Sequence, residues 1–200
     1  MTPAVDVAFD VRAAALPGDY AWPLRAALTT RLPWLADEAR AGVHPLRVST
    51  TAWGHVLLPA RAKLTLRVSP ARVDETMRLV GARLEVEGHP LEIGAAKVRV
   101  LLASPTVAAQ RVVSDVSDAG AFEEDVGRML TDLGIDARFI AGGRRSARAG
   151  DREIAGFALS VHGLRNDDSL RLQYEGLGEA RGIGWGIFVP AKRITMEEPA

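Results

Sequence analysis

Four histidines, at positions 44, 55, 89 and 162, are the only imidazoles in this chain, and cysteine is absent. Without a thiol there is no disulfide framework, thiolate nucleophile or Cys-zinc site. No two histidines have the i, i+4 spacing of a helical zinc site, so neither a metal nor a cofactor is expected. What remains is proton transfer by imidazole, whose unperturbed pKa of about 6.5 suits acid–base work near neutrality. Guanidinium or ammonium groups would supply charge stabilisation beside it. His44 lies in the polar stretch Arg40–Thr51, followed by Pro45, with Arg47 on the same stretch and Lys63 on the strand that follows. His55 lies near a strand, His89 sits in a Gly-His-Pro turn, and His162 ends a strand beside Gly163.

Charge is balanced but segregated. The 25 basic and 25 acidic residues cancel, which argues against a protein that coats nucleic acid through bulk charge and leaves room for a local basic surface. From Asp115 to Asp136 only Arg128 is basic, whereas Arg138, Arg144, Arg145, Arg148 and Arg152 follow within one short stretch. Gly176, Gly178, Gly182, Gly184 and Gly186 form a glycine-rich segment that also holds Arg181 and Trp185. A helix is expected before this segment and a strand after it, the reverse of a dinucleotide fingerprint. Such a loop can press backbone N–H groups on a polyanion, with Arg181 as a bidentate phosphate donor, or it can be a packed wedge between two domains. Trp22, Trp34, Trp53 and Trp185 are candidates for base stacking, with Trp34 more readily a core residue.

These residues need a scaffold. The 200 residues allow one domain or two small ones, and a 48% hydrophobic content is enough to build a core. Val5–Val11 alternates as a half-buried strand. Asp19 is a plausible N-cap for a helix over Tyr20–Leu35. Strands are expected near Trp53–Leu58 and Ala62–Val68, a short helix after Ser69-Pro70, a hairpin over Leu84–Val86 and Leu91–Ile93, and a further strand at Lys97–Leu102. The second half repeats the order: a strand at Val107–Val116 and a helix at Phe122–Leu133 stopped by Gly134. Strands at Arg138–Ala141 and Ile154–Val161 flank a loop over Gly142–Asp151. A helix at Asn166–Tyr174 and a strand at Ile183–Val189 complete it. Each half therefore reads βαββαβ, the split βαβ unit. The expected fold is α+β, two tandem ferredoxin-like domains over residues 1–103 and 104–200. No leader or membrane span is expected, and the chain reads as cytoplasmic.

At this point a resemblance becomes visible. The C-terminal pattern G-x-G-x-x-R-x-x-G-x-G-x-F-x-P, entered from Ser169-Leu170-Arg171-Leu172-Gln173, resembles that of the RAMP-type RNA-binding proteins of CRISPR systems. Leu16-Pro17-x-Asp19-Tyr20, Gly42-Val43-His44-Pro45 and Gly156-Phe157-Ala158-Leu159 make the chain look most like the CRISPR repeat-processing endoribonucleases, the "Cas six" family in its Cmx or myxan variety. The likeness covers about residues 4 to 193. It implies binding of CRISPR repeat RNA and metal-independent cleavage by the ribose 2′-OH, leaving a 2′,3′-cyclic phosphate and a 5′-OH on the way to guide RNA. It implies His44 as the catalytic histidine, with Arg47 and Lys63 as cations and Tyr20 orienting the ribose or sharing a proton. It further implies that the basic hairpin and the glycine loop touch RNA. Two other readings stay open: a non-cleaving RNA-binding subunit acting with other subunits of a CRISPR effector complex, and a ferredoxin-like protein that binds a small ligand.

Overall fold

The computed structural model describes residues 4–191, so the outermost residues of the two expected domains, 1–3 and 192–200, lie outside the described residues. β1 (Val5–Arg12) carries the expected alternation and buries Val5, Val7, Phe9 and Val11. It is the central strand of a five-stranded sheet. The other members are β3 (Gly42–Val43), β6 (Lys63–Val68), β7 (Arg83–Val86) and β8 (His89–Val100), in the order β3-β6-β1-β8-β7. Helix α1 (Ala21–Arg31) lays Leu24 and Leu28 against this sheet. It is shorter than expected because Pro33 cannot continue it, and the chain turns through a 3-10 segment at Pro33–Ala36. Tyr20, not Asp19, occupies its N-cap, without a side-chain cap bond.

Several boundaries differ from the sequence expectation. The stretch read as a strand over Trp53–Leu58 is a tight hairpin of β4 (Thr50–Ala52) and β5 (His55–Leu57), turning at Trp53-Gly54. With β2 (Leu16–Pro17) it forms a separate three-stranded sheet. After Ser69 a 3-10 turn leads into the short helix α2 (Val73–Met77). The hairpin near Gly88 and the strand at Lys97–Leu102 are continuous, because β8 stays paired with β1 through an irregularity between Phe9 and Val11. The first half therefore runs strand, helix, strand, helix, hairpin along its main sheet.

In the second half β9 (Thr106–Val113), α3 (Ala119–Asp132), β10 (Arg138–Ala149), β11 (Arg152–His162), α4 (Asn166–Glu175) and β12 (Val189–Pro190) follow the expected βαββαβ order. The sheet order is β10-β11-β9-β12. Asp118 caps α3 by accepting from the Ala121 N–H at 3.0 Å, and Gly134 takes the left-handed conformation that ends it, at φ 66°. The expected loop over Gly142–Asp151 is largely strand. Gly142-Gly143 forms a bulge after Ala141, and pairing resumes at Arg144 opposite Phe157 and continues to Ala149. The basic stretch is thus one arm of a long hairpin. The last strand shrinks to Val189–Pro190, because the glycine-rich segment before it folds inward. Two large apolar clusters, one from residues 5–93 and one from 107–188, fill the two halves. The tandem ferredoxin-like architecture is therefore present. Among the described residues no helix is long and apolar enough to cross a membrane.

Candidate active site

His44 stands just beyond the two-residue strand β3. Its N–H donates to Thr65 O at 2.9 Å, extending the pairing of β3 with β6 by one bond. Two residues on, Leu46 is buried in the first core, and its backbone is gripped by Tyr20. The Tyr20 hydroxyl accepts from the Leu46 N–H at 2.8 Å and faces Leu46 O at 3.3 Å. The segment carrying His44 is therefore pinned on both sides. Tyr20 was expected to orient a ribose or share a proton, but its hydroxyl is engaged with the backbone that holds His44. Burial raises the Tyr20 pKa, which keeps the phenol protonated.

The His44 ring turns Nε2 inward, 3.4 Å from Asp6 Oδ1, a charge-pair distance without hydrogen-bond alignment. His44 also lines a cleft of about 380 Å³ between the two halves of the molecule. The opposite wall comes from the second half: Arg111 on β9, and Arg144, Arg145 and Arg148 on β10. The fold thus brings a histidine from one sheet edge and four guanidinium-bearing residues from the other sheet to one opening. Burial lowers the His44 pKa first; contact with Asp6 opposes this, and the charges of Arg67 and Arg181 add to the lowering. The imidazole is therefore neutral at pH 7 and able to accept a proton.

Beneath His44 lies a buried clamp. Arg67, 1% exposed, holds both oxygens of Asp6, at 2.8 and 3.0 Å. Its Nη1 donates to Gln173 O at 3.0 Å and to Phe188 O at 2.6 Å. One guanidinium therefore joins the first sheet to the end of α4 and to the chain leaving the glycine-rich segment. Burial alone would raise the Asp6 pKa. Contacts and charges from His44 and Arg67 outweigh it and hold the carboxyl well below the usual carboxylate range.

The expectations for the glycine-rich segment need correction. Arg181 is 4% exposed and Trp185 is fully buried, so neither side chain faces solvent where RNA could reach it. Arg181 donates to Gly186 O at 3.4 Å, and burial, reinforced by Arg67, lowers its pKa to about 10. Trp185 packs with Ala149, Ile154 and Ile183, and the Arg111 guanidinium lies over its ring at 5.7 Å. Gly176, Gly184 and Gly186 are buried, Gly182 is half-buried against Arg25, and Gly178 alone is exposed. The segment is a wedge between the halves, the second of the two roles its sequence allowed. Gly184 shows why glycine is needed: φ is 89°, and a Cβ would come within 2.9 Å of Pro45 Cγ, the residue after His44. The wedge supports the histidine from behind.

The remaining candidates scatter. Arg47 is exposed and does not line the cleft. Lys63 pairs with Asp10 at the far end of β6. Arg138 lies at the distal end of β10, opposite His162, and Arg152 faces Glu179 at 3.6 Å. His162 contacts Thr106 and Ser160 side chains, a local polar role. Sequence pattern does not single out Arg111, Asp6 or Arg67. The only signal for each is a charge on the alternating pattern of an apolar strand. Among the described residues no three His, Asp or Glu side chains group closely enough to hold a metal ion.

Comparison with known proteins bears on the family and the fold. The family model described as Cas6 Crispr matches residues 5–193. The CRISPR-associated endonuclease Cas6 of Myxococcus xanthus (strain DK1622) is 36% identical over 193 residues, covering 96% of this chain and 83% of that one. Among solved structures, "An RAMP protein binding different RNA substrates" superposes with a TM-score of 0.69 at 11% identity, over 94% of this chain and 100% of that one. A Cas6-related protein from Pyrococcus furiosus gives a TM-score of 0.64 at 11% identity, over 97% and 100%. At such identities the structures show a shared fold, while the family match and the closer sequence carry the assignment. With nearly the whole chain matched in both, this protein belongs to the Cas6 family of CRISPR-associated endoribonucleases.

Proposed function

We propose that this protein binds the repeat segment of a CRISPR precursor transcript and cuts it by attack of a ribose 2′-OH on the adjoining phosphate, releasing guide RNA precursors. The observation that carries the reading is that His44 lines one cleft together with Arg111 and the β10 residues Arg144, Arg145 and Arg148. Neutral His44 takes the 2′-OH proton at Nδ1, and Asp6 behind Nε2 steadies the imidazolium that forms. The oxygen then closes on phosphorus, and the 5′-oxygen departs, taking a proton from water; the hydroxide left behind takes the proton back from the imidazolium, which restores neutral His44. The guanidinium groups neutralise charge on the five-coordinate phosphorus. The products are a 2′,3′-cyclic phosphate and a 5′-OH, and no metal ion enters the scheme. The 36% identity to a Cas6 endonuclease and the fold shared with a RAMP protein described as binding different RNA substrates support the same reading.

The decisive experiment uses repeat RNA with and without a 2′-deoxy substitution at the scissile nucleotide. Cleavage of the all-ribose strand in EDTA, with a cyclic phosphate end by mass spectrometry and no cleavage of the deoxy strand, is expected. Binding without cleavage would sink the catalytic part, and cleavage of the deoxy strand would sink the mechanism.

The basic arm makes a separate prediction. Replacing both Arg144 and Arg145 with alanine should weaken repeat binding about 10- to 100-fold near physiological salt. The slope of log affinity against log salt should also fall by about 2, one for each lost phosphate contact. Filter binding over a salt series measures both, and an unchanged slope would remove these arginines from the phosphate path.

A further inference from the structure

The tip of the β4–β5 hairpin carries a side chain that the cleft chemistry leaves unused. Trp53 is 97% exposed, whereas the next most exposed tryptophan, Trp22, is at 38%. With Gly54 it makes the two-residue connection between the paired residues Ala52 and His55, at φ 52° and 74°. Two left-handed central residues define a type I′ turn, which Asn-Gly fills without strain and a bulky side chain fills at a cost. The indole recovers little of that cost, since among the described residues nothing covers it. A strained, uncovered aromatic residue at a loop tip points toward a ligand.

The tip is also held in place. Gly54 O accepts a hydrogen bond from the Gly18 N–H at 2.7 Å, and β5 pairs with β2 directly before Gly18. Gly18, Asp19 and Tyr20 belong to the lining of the cleft that holds His44. Trp53 is therefore tethered to the rim of that cleft. Beside it, the His55 ring stands 5.1 Å from that of His89, adding imidazole faces to the same corner.

We propose that Trp53 is a nucleobase platform: an unpaired base of the RNA strand entering or leaving the cleft stacks on its indole. This rests on the RNA-cleaving reading of the cleft. The division of labour follows from the side chains. Arg111, Arg144 and Arg145 line the cleft and supply its positive charge, while the tip, made of Thr51, Ala52, Trp53, Gly54 and His55, has no Lys or Arg and offers a π-face instead. Every base has such a face, so the contact is strong and tolerant of sequence. A protein partner fits less well, because a protein hot spot sits within a ring of contacts that exclude water, and this tip is a lone indole on a two-residue turn.

The test uses single-stranded decaadenylate RNA, with inorganic polyphosphate as a charge-matched ligand without bases. Tryptophan emission, read as the difference between the wild-type protein and W53F, should be quenched by decaadenylate and unaffected by polyphosphate. W53A should bind decaadenylate roughly 5- to 100-fold more weakly, while W53F, which keeps a ring, should stay within roughly threefold. Trp53→Asn, which suits the turn and so should fold at least as well, should lose as much affinity as W53A. Equal affinity of W53A and wild type for decaadenylate would overturn the proposal, as would equal quenching by polyphosphate. A change in self-association of W53A by sedimentation, with RNA affinity intact, would assign the tip to protein contact and equally overturn it. None of these readouts involves cleavage, so the platform and the catalytic reading of His44 can fail independently.

Discussion

Replacing His44 with alanine is expected to slow single-turnover cleavage of repeat RNA by roughly 10²–10⁴-fold, the usual contribution of one positioned acid–base group. RNA affinity should be retained, because the arginines proposed to meet phosphate come from the second half of the chain and not from the His44 segment. The pH profile adds a stricter test. A base works while neutral, so the rate falls as pH drops through its pKa. His44 is held below the ordinary imidazole value by burial and by the Arg67 and Arg181 charges, against the pull of Asp6. The rate should therefore be level at pH 7 and decline only below about 6.5, the unperturbed value. Asp6→Asn removes the group that raises the His44 pKa, so the acid limb should move to still lower pH. A near-normal rate for His44→Ala, or a limb centred above the ordinary imidazole value, would take His44 out of the reaction.

Arg67→Met is expected to be the most damaging change to stability outside the apolar cores, costing about 3–5 kcal/mol. It strands the Asp6 carboxylate and removes the donor for two carbonyls of the second half. For a chain of this size that corresponds to a fall in Tm of about 6–20 °C by calorimetry. Adding Asp6→Leu should recover much of the loss, because an apolar pair in place of a buried ion pair is often neutral or better. It should not recover cleavage, since His44 then lacks its carboxylate. The pH dependence of stability has a definite sign. The folded-state pKa of Asp6 is depressed, so its contribution is complete above the unfolded value of about 3.9 and fades as pH falls below that. The double variant should lack this acid-side loss. A single variant as stable as wild type would show that Arg67 does not clamp the halves.

What local sequence pattern decides varies by element. The alternation of β1, the Gly134 stop of α3 and the βαββαβ order of the second half follow from local pattern, which acts within a few residues. His44 stands out in the sequence because few imidazoles compete with it and because its segment resembles a family motif. In the β10–β11 hairpin Gly142-Gly143 signals a loop by residue type, and only the pairing with β11 turns it into a bulge. The glycine-rich segment was visible as a feature and ambiguous in role.

Sequence alone therefore determined the class of fold, the absence of thiol chemistry, the histidine to examine and the clustering of arginine on one hairpin. These depend on residue type and short spacing. Tertiary structure decided which cations share the cleft with His44, that Tyr20 grips the backbone beside it, and that Arg181 and Trp185 turn inward. It also decided that Arg67 joins the halves, through carbonyls 106 and 121 residues away along the chain. Whether an arginine meets solvent or a buried carboxylate depends on what the fold packs against it, and no local pattern carries that information.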